Sequence, residues 1–141
     1  MRLSMLRYLL CIDLLLCFIT ASAQLSFPTN EGERKRYSAY IEMSRGYISG
    51  VCILVNKKSI IKGSLFNEFG ITALDFSYDP CRKKIHLYSV IAMMDKWYIR
   101  RVLKKDLVQL MSCLQHGKYG YRNERQQITY QFTPIADEVT Q

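Results

Sequence analysis

Glycine and proline are scarce, with seven and three residues in a chain of 141. Collagen-like and low-complexity architectures are thereby excluded. No internal repeat is present, and no long block of like charge. Histidine is rarer still: His86 and His116 are the only two, and neither has a partner at metal-ligand spacing. There is no Gly-x-Ser-x-Gly elbow, no phosphate loop and no His-Glu-x-x-His. Asp75 and Asp79 are four residues apart in a strand and a turn, which is too ordinary to read as a catalytic carboxylate pair. With no general acid or base set beside a nucleophile, the expectation is a protein that is not an enzyme and takes no metal or cofactor.

What is present has an ordinary globular balance: 49% of residues are apolar and 23% charged. That suits one folded domain. The formal net charge is +8. Such a surface favours anionic partners, among them nucleic acid, lipid headgroups and acidic glycans, or it simply keeps the chain soluble; net charge bears on association and not on fold.

Residues 1–23 read as a cleavable export signal. Arg2 and Arg7 form a positive start, 9–19 are mostly apolar, and Ala21-Ser22-Ala23 supplies the small residues of a cleavage site before Gln24. The apolar stretch is shorter than the roughly 20 residues of a spanning helix, and Asp13 interrupts it. Cys11 and Cys17 each follow a leucine, where lipoprotein processing prefers a small residue, so a lipid anchor is not expected. The expected location is periplasmic or envelope-associated, and export argues against a nucleic-acid partner. Loss of Arg2, Arg7 and Asp13 lowers the net charge only from +8 to +7, so the basic character belongs to the domain. Of five cysteines, Cys52, Cys81 and Cys113 would remain. Three pairings are open for one disulfide, and the odd number leaves a free thiol or an intermolecular bond; a buried free cysteine is the plain alternative.

Residues 24–34 are polar, with Pro28, Asn30 and Gly32, and read as a loose leader to a single domain over 35–134. Tyr37, Ala39, Ile41 and Met43 alternate with polar neighbours, the period of a half-buried strand. Further strands are expected over 47–56, after it a Lys57-Lys58 turn, then over 59–67, 71–78 (Leu74, Phe76 and Tyr78 on one face) and 84–91 (Ile85, Leu87 and Ser89 on one face). Short links between them predict an antiparallel meander. The period then changes. Ile99, Leu103, Leu107, Leu110 and Leu114 form a helical stripe over 96–115, with Asp95 as N-cap and Gly117 as the stop. A polar connection, 118–126, leads to a last strand through Ile128, Tyr130 and Phe132, and 135–141 read as a frayed tail. The expected fold is α+β: a curved antiparallel sheet of five to six strands with one long amphipathic helix on its concave face.

Two surface features are singled out. Asn67-Glu68-Phe69-Gly70 is a hairpin turn by its chemistry, or the rim of a binding mouth. On the outer side of the helix Trp97, Arg101, Lys104 and Val108 fall together, flanked by Arg100 and Lys105. A basic stripe with an aromatic anchor suits an anionic membrane surface or an acidic partner; a solvated face with Trp97 folded onto the sheet edge is the plain alternative.

The run Gly63-Ser64-Leu65-Phe66-Asn67-Glu68-Phe69-Gly70 resembles the middle of bacterial lipoprotein carriers of the LolA/LolB type. Those have a Gly-x-Leu strand, Asn-x-Phe-Gly at the turn and another strand. Asp95-Lys96-Trp97-Tyr98-Ile99-Arg100-Arg101 likewise resembles small exported bacterial proteins with this feature order. The carriers fold as half-open antiparallel barrels around a cavity for acyl chains; they are longer, with more strands and extra lid helices. The resemblance implies a non-enzymatic envelope protein handling a lipid, an acyl chain or a lipoprotein in an apolar cavity, here lined by Leu74, Phe76, Leu103, Leu107 and Leu110. The competing reading is an assembly module with a packed core, acting through its basic helix face or a sheet edge on a protein partner.

Overall fold

The structure, a computed structural model, describes residues 27–136. The expected export segment, the expected cleavage point before Gln24 and residues 137–141 of the tail lie outside the described residues.

From Arg34 the described residues form a meander of five strands: β1 (Arg34–Met43), β2 (Gly46–Lys57), β3 (Ile60–Asn67), β4 (Thr72–Asp79) and β5 (Lys84–Val90). Alternation drives them. In β1 Tyr37, Ala39 and Ile41 are buried while Ser38 and Glu42 are exposed; in β3 Ile61 and Leu65 face inward and Lys62 outward. The β2–β3 turn is a two-residue loop, Lys58-Ser59, with φ of 52° and 66°. Positive φ at both positions matches the right-handed strand twist, and Asn56 Oδ1 accepts the Ser59 N–H at 3.2 Å.

The alternation read over 84–91 fails at its end. Register shifts between Asp75 and Phe76, which pair with Ser89 and Leu87, so Tyr88 is an extra residue in β5. A bulge of this kind reverses the facing of the residues beyond it. Ser89 therefore points out and Val90 points in beside Leu74.

Helix α1 (Trp97–Gln115) comes after a short 3-10 turn, Ala92–Met94. Leu103, Leu107, Leu110 and Leu114 are buried as the stripe requires, joined by Met111 and Asp106. The N-cap is Lys96, without a side-chain cap, and not Asp95; the Asp95 carboxylate is engaged by Arg100. Gly117, at φ 77°, closes the other end. Its N–H donates to the Leu114 carbonyl and the Lys118 N–H to that of Cys113, the paired bonds of a Schellman stop.

The connection expected over 118–126 contains a strand. β6 (Gly120–Asn123) forms a hairpin with β7 (Ile128–Pro134), and β7 returns antiparallel along the free edge of β1. The sheet thus has seven strands rather than five or six, in the order β5-β4-β3-β2-β1-β7-β6. It is a curled half-barrel, and α1 packs inside it against both edge strands, β5 and β6. One core cluster joins the inward faces of the sheet to the helix stripe.

The described part of the leader is not loose. Phe27 is fully buried, the Pro28 carbonyl accepts from Asn56 Nδ2 at 3.1 Å, and the Gly32 N–H donates to the Asn56 carbonyl at 2.8 Å. Ile135, placed at the start of the frayed tail, donates its N–H to the Arg36 carbonyl at 2.9 Å.

Candidate functional site

Antiparallel connectivity gathers four connections at one end of the half-barrel: β1–β2, β3–β4, β5–α1 and β6–β7. A cleft of about 450 Å³ opens between three of them, β1–β2, β5–α1 and β6–β7. Met43, Met93, Met94, Ile99, Val102 and Ile128 form most of its wall; Met94 and Ile128 are buried and make its floor. Methionine is flexible and polarizable, and suits a wall that must fit a variable apolar guest. The cleft also meets Tyr98, Ser44 and Gln126. Its charged lining groups among the described residues are Arg45 and Lys96, and no carboxylate among those residues lines it.

A smaller cleft of about 260 Å³ lies alongside and shares Met93. The loop Asn67-Glu68-Phe69-Gly70 stands here. Asn67 Oδ1 accepts the N–H groups of Phe69 (3.0 Å) and Ile71 (2.9 Å), Gly70 takes φ 75°, and the Ser49 hydroxyl donates to Glu68 Oε1. The loop is a tight turn, and Asn67, Glu68 and Phe69 line the small cleft.

Large apolar side chains stand exposed around this end. Tyr47, Phe69, Ile71, Met93, Trp97 and Tyr98 all lie in or beside the four connections, with Phe69 at 85% exposure and Trp97 at 76%. Exposed apolar groups scattered singly are normal, but several gathered at one end of a fold make that end a candidate interaction site. Trp97 is set edge-on to Tyr98, ring centroids 5.9 Å apart, and does not fold onto the sheet edge. Arg101, Lys104 and Lys105 continue from it along the exposed side of α1. None of the three is in an ion pair among the described residues.

The residues expected to line an apolar cavity do something else. Leu74, Phe76, Leu103, Leu107 and Leu110 are all buried in the core cluster, and none lines the cleft. The helix stripe and the inward sheet residues belong to one buried core cluster. The open space lies above that plug.

Sequence reasoning missed a buried polar cluster. Asp106 is only 2% exposed. Its Oδ2 accepts from the Tyr130 hydroxyl at 2.7 Å and its Oδ1 from Asn123 Nδ2 at 2.8 Å, so one carboxylate ties α1 to β6 and β7. Burial pushes the Asp106 carboxyl above the ordinary carboxylate range, against the opposing pull of the two donors. Burial and the adjoining carboxylate push the Tyr130 phenol up. An aspartate between Leu103 and Leu107 on the apolar side of the helix was the available signal. A shallow cleft of about 420 Å³ adjoins it, bordered by Lys105, Tyr121 and Asn123.

His86 packs edge-on against Tyr88 at 4.8 Å, and His116 Nδ1 donates to the Ser112 carbonyl at 2.7 Å at the helix end. Among the described residues no three of His, Cys, Asp and Glu are grouped to hold a metal ion, and no helix is long and apolar enough to cross a membrane. Cys52, Cys81 and Cys113 are free thiols, so none of the three disulfide pairings is formed.

No family model, curated protein or solved structure matches the chain.

Proposed function

We propose that this is an exported, non-enzymatic envelope protein that binds an acyl chain in the cleft at the open end of its half-barrel and meets an anionic membrane surface with that end. The observation that carries the reading is the placement of the methionine-lined cleft at the end of the fold that also carries the exposed side chains of Tyr47, Phe69, Ile71, Met93, Trp97 and Tyr98. The cleft lies within the usual range for ligand pockets, about 300–1,000 Å³. Arg45, Lys96 and Arg101 stand among the exposed rings, the mixture of apolar anchors and cations that suits a bilayer of anionic lipid. The Gly-x-Leu and Asn-x-Phe-Gly resemblance to lipoprotein carriers points the same way, with the ligand space moved from the leucine-lined interior to the mouth.

The test is native mass spectrometry of the protein purified from an envelope fraction, followed by lipid extraction. Acylated species should co-purify and be lost on Met93→Asp, which sets a carboxylate on the cleft wall at a position already 55% exposed and so leaves the fold intact. A clean protein mass, together with no uptake of a neutral hydrophobic dye, overturns the reading. It would favour instead an assembly module acting through the α1 face of Trp97, Arg101, Lys104 and Lys105, its protein partner to be found by crosslinking.

A further inference from the structure

Arg45 and Lys96 come from elements far apart in sequence, the β1–β2 turn and the N-cap of α1, yet both line the methionine cleft. Neither is in an ion pair among the described residues. The nearest acids in sequence, Glu42 to Arg45 and Asp95 to Lys96, do not line the cleft, and Asp95 is engaged by Arg100. The two charges on the lining are therefore both positive, while the rest of the wall is mostly apolar, with Met94 and Ile128 buried. A guest that satisfies both halves has an apolar tail and an anionic head.

The space sets a second limit. The cleft holds about 450 Å³, near the low end of ligand-site volumes, and it cannot deepen because Leu103, Leu107 and Phe132 pack the interior without exposure. One chain fits such a space, and a bundle of two or three does not. Resting on the acyl-binding reading above, we infer that the cleft selects a single-chain amphiphile with an anionic headgroup, a carboxylate or a phosphate, whose head lies between Arg45 and Lys96. A multiply acylated lipoprotein anchor would not be held there as a whole.

Both cations are exposed, so each contributes in the range of a surface pair. Together they should favour an anionic over a neutral head by about tenfold at low ionic strength, a preference that salt reduces. The experiment is calorimetric titration of the purified protein, below micellar concentrations, with dodecanoate, dodecyl phosphate, monododecanoylglycerol and didodecanoyl phosphatidic acid. Dodecanoate and dodecyl phosphate should bind about tenfold more tightly than the neutral glyceride, and their ratio separates a carboxylate source from a phosphate one. In Arg45→Gln/Lys96→Gln that preference should vanish. The charge-conserving pair Arg45→Lys/Lys96→Arg should retain it, which separates charge from any effect on folding. The two-chain acid should bind more weakly than dodecyl phosphate. Equal affinity for charged and neutral heads, a preference that survives the double glutamine change, or tighter binding of the two-chain acid overturns the inference and leaves acyl binding standing. If none of the four compounds binds, the acyl-binding reading itself falls.

Discussion

The Tyr130 hydroxyl donates a 2.7 Å hydrogen bond to Asp106 Oδ2 in the interior, where both side chains are almost wholly shielded from water. With Asn123 on the other oxygen, this bond anchors the middle of α1 to the β6–β7 hairpin. A buried carboxylate tolerates its loss of hydration only while its donors hold. Removing one donor by Tyr130→Phe should lower stability by about 1–3 kcal/mol, read as a shift in the denaturation midpoint at unchanged slope. A variant as stable as the parent would mean that the carboxylate is not desolvated.

The same group sets a pH dependence. Burial holds the Asp106 carboxyl above its ordinary value, so the folded protein favours the protonated form more than the unfolded chain does. The resulting stabilisation is complete below about pH 4, the ordinary carboxylate value, and is lost as pH rises through the raised one. Asp106→Asn stays neutral and still offers an oxygen to Tyr130. The Tm of the parent relative to Asp106→Asn should therefore fall as pH rises from about 4 and then level off. A difference that does not change with pH would falsify the assignment.

Leu107 is fully buried against the sheet. Leu107→Ala should cost about 2–5 kcal/mol through lost contact and a residual void, and Leu107→Met less than about 1.5 kcal/mol. Because Leu107 does not line the cleft, the methionine variant should bind acyl chains as the parent does. An altered chain affinity in that stable variant would put the ligand deeper in the half-barrel than the methionine cleft.

The three thiols differ in access. Cys81 is exposed, Cys113 intermediate and Cys52 buried, and burial pushes the Cys52 thiol up, away from the reactive thiolate. Iodoacetamide should label Cys81 first under native conditions and reach Cys52 only on unfolding. Intact mass without reductant should show no intramolecular disulfide among the three. Rapid native labelling of Cys52 would mean that the β1–β2–β3 region opens far more readily than its packing implies.

The elements that advertised themselves in the sequence were those whose side chains repeat at a fixed period. Tyr37, Ala39 and Ile41 marked β1, and Leu103, Leu107, Leu110 and Leu114 marked the buried face of α1. β6 is four residues, Gly-Tyr-Arg-Asn, too short and too polar to show a period; it is a strand because β7 stands beside it. The bulge at Tyr88 is a property of two paired strands, and the sequence of β5 alone continues the alternation through Ser89. The cleft was hidden for a related reason. Met43, Arg45, Met93, Lys96 and Ile128 come from three connections far apart in sequence, and only the closure of the sheet around α1 brings them together. The Asn67–Gly70 loop and the Trp97 stripe were legible because their chemistry is local.

Trp97 is the sole tryptophan and stands at the edge of the open end, 76% exposed, so its emission reports what that end touches. On mixing with vesicles of phosphatidylglycerol the emission should shift to the blue, and it should do so far less with phosphatidylcholine, because the cations of this end contribute only on an anionic surface. Added salt should reverse the shift in part. Phe69 stands further out on the neighbouring loop, where Phe69→Ser removes an exposed side chain without touching the core. If that ring enters the interface, its burial is worth enough that the variant should partition about tenfold less well or worse. Lys104→Gln/Lys105→Gln, further along α1, should weaken the salt-sensitive part alone. Vesicle binding without a change in Trp97 emission would mean that a different face meets the bilayer, and that the exposed rings around the cleft serve a protein partner.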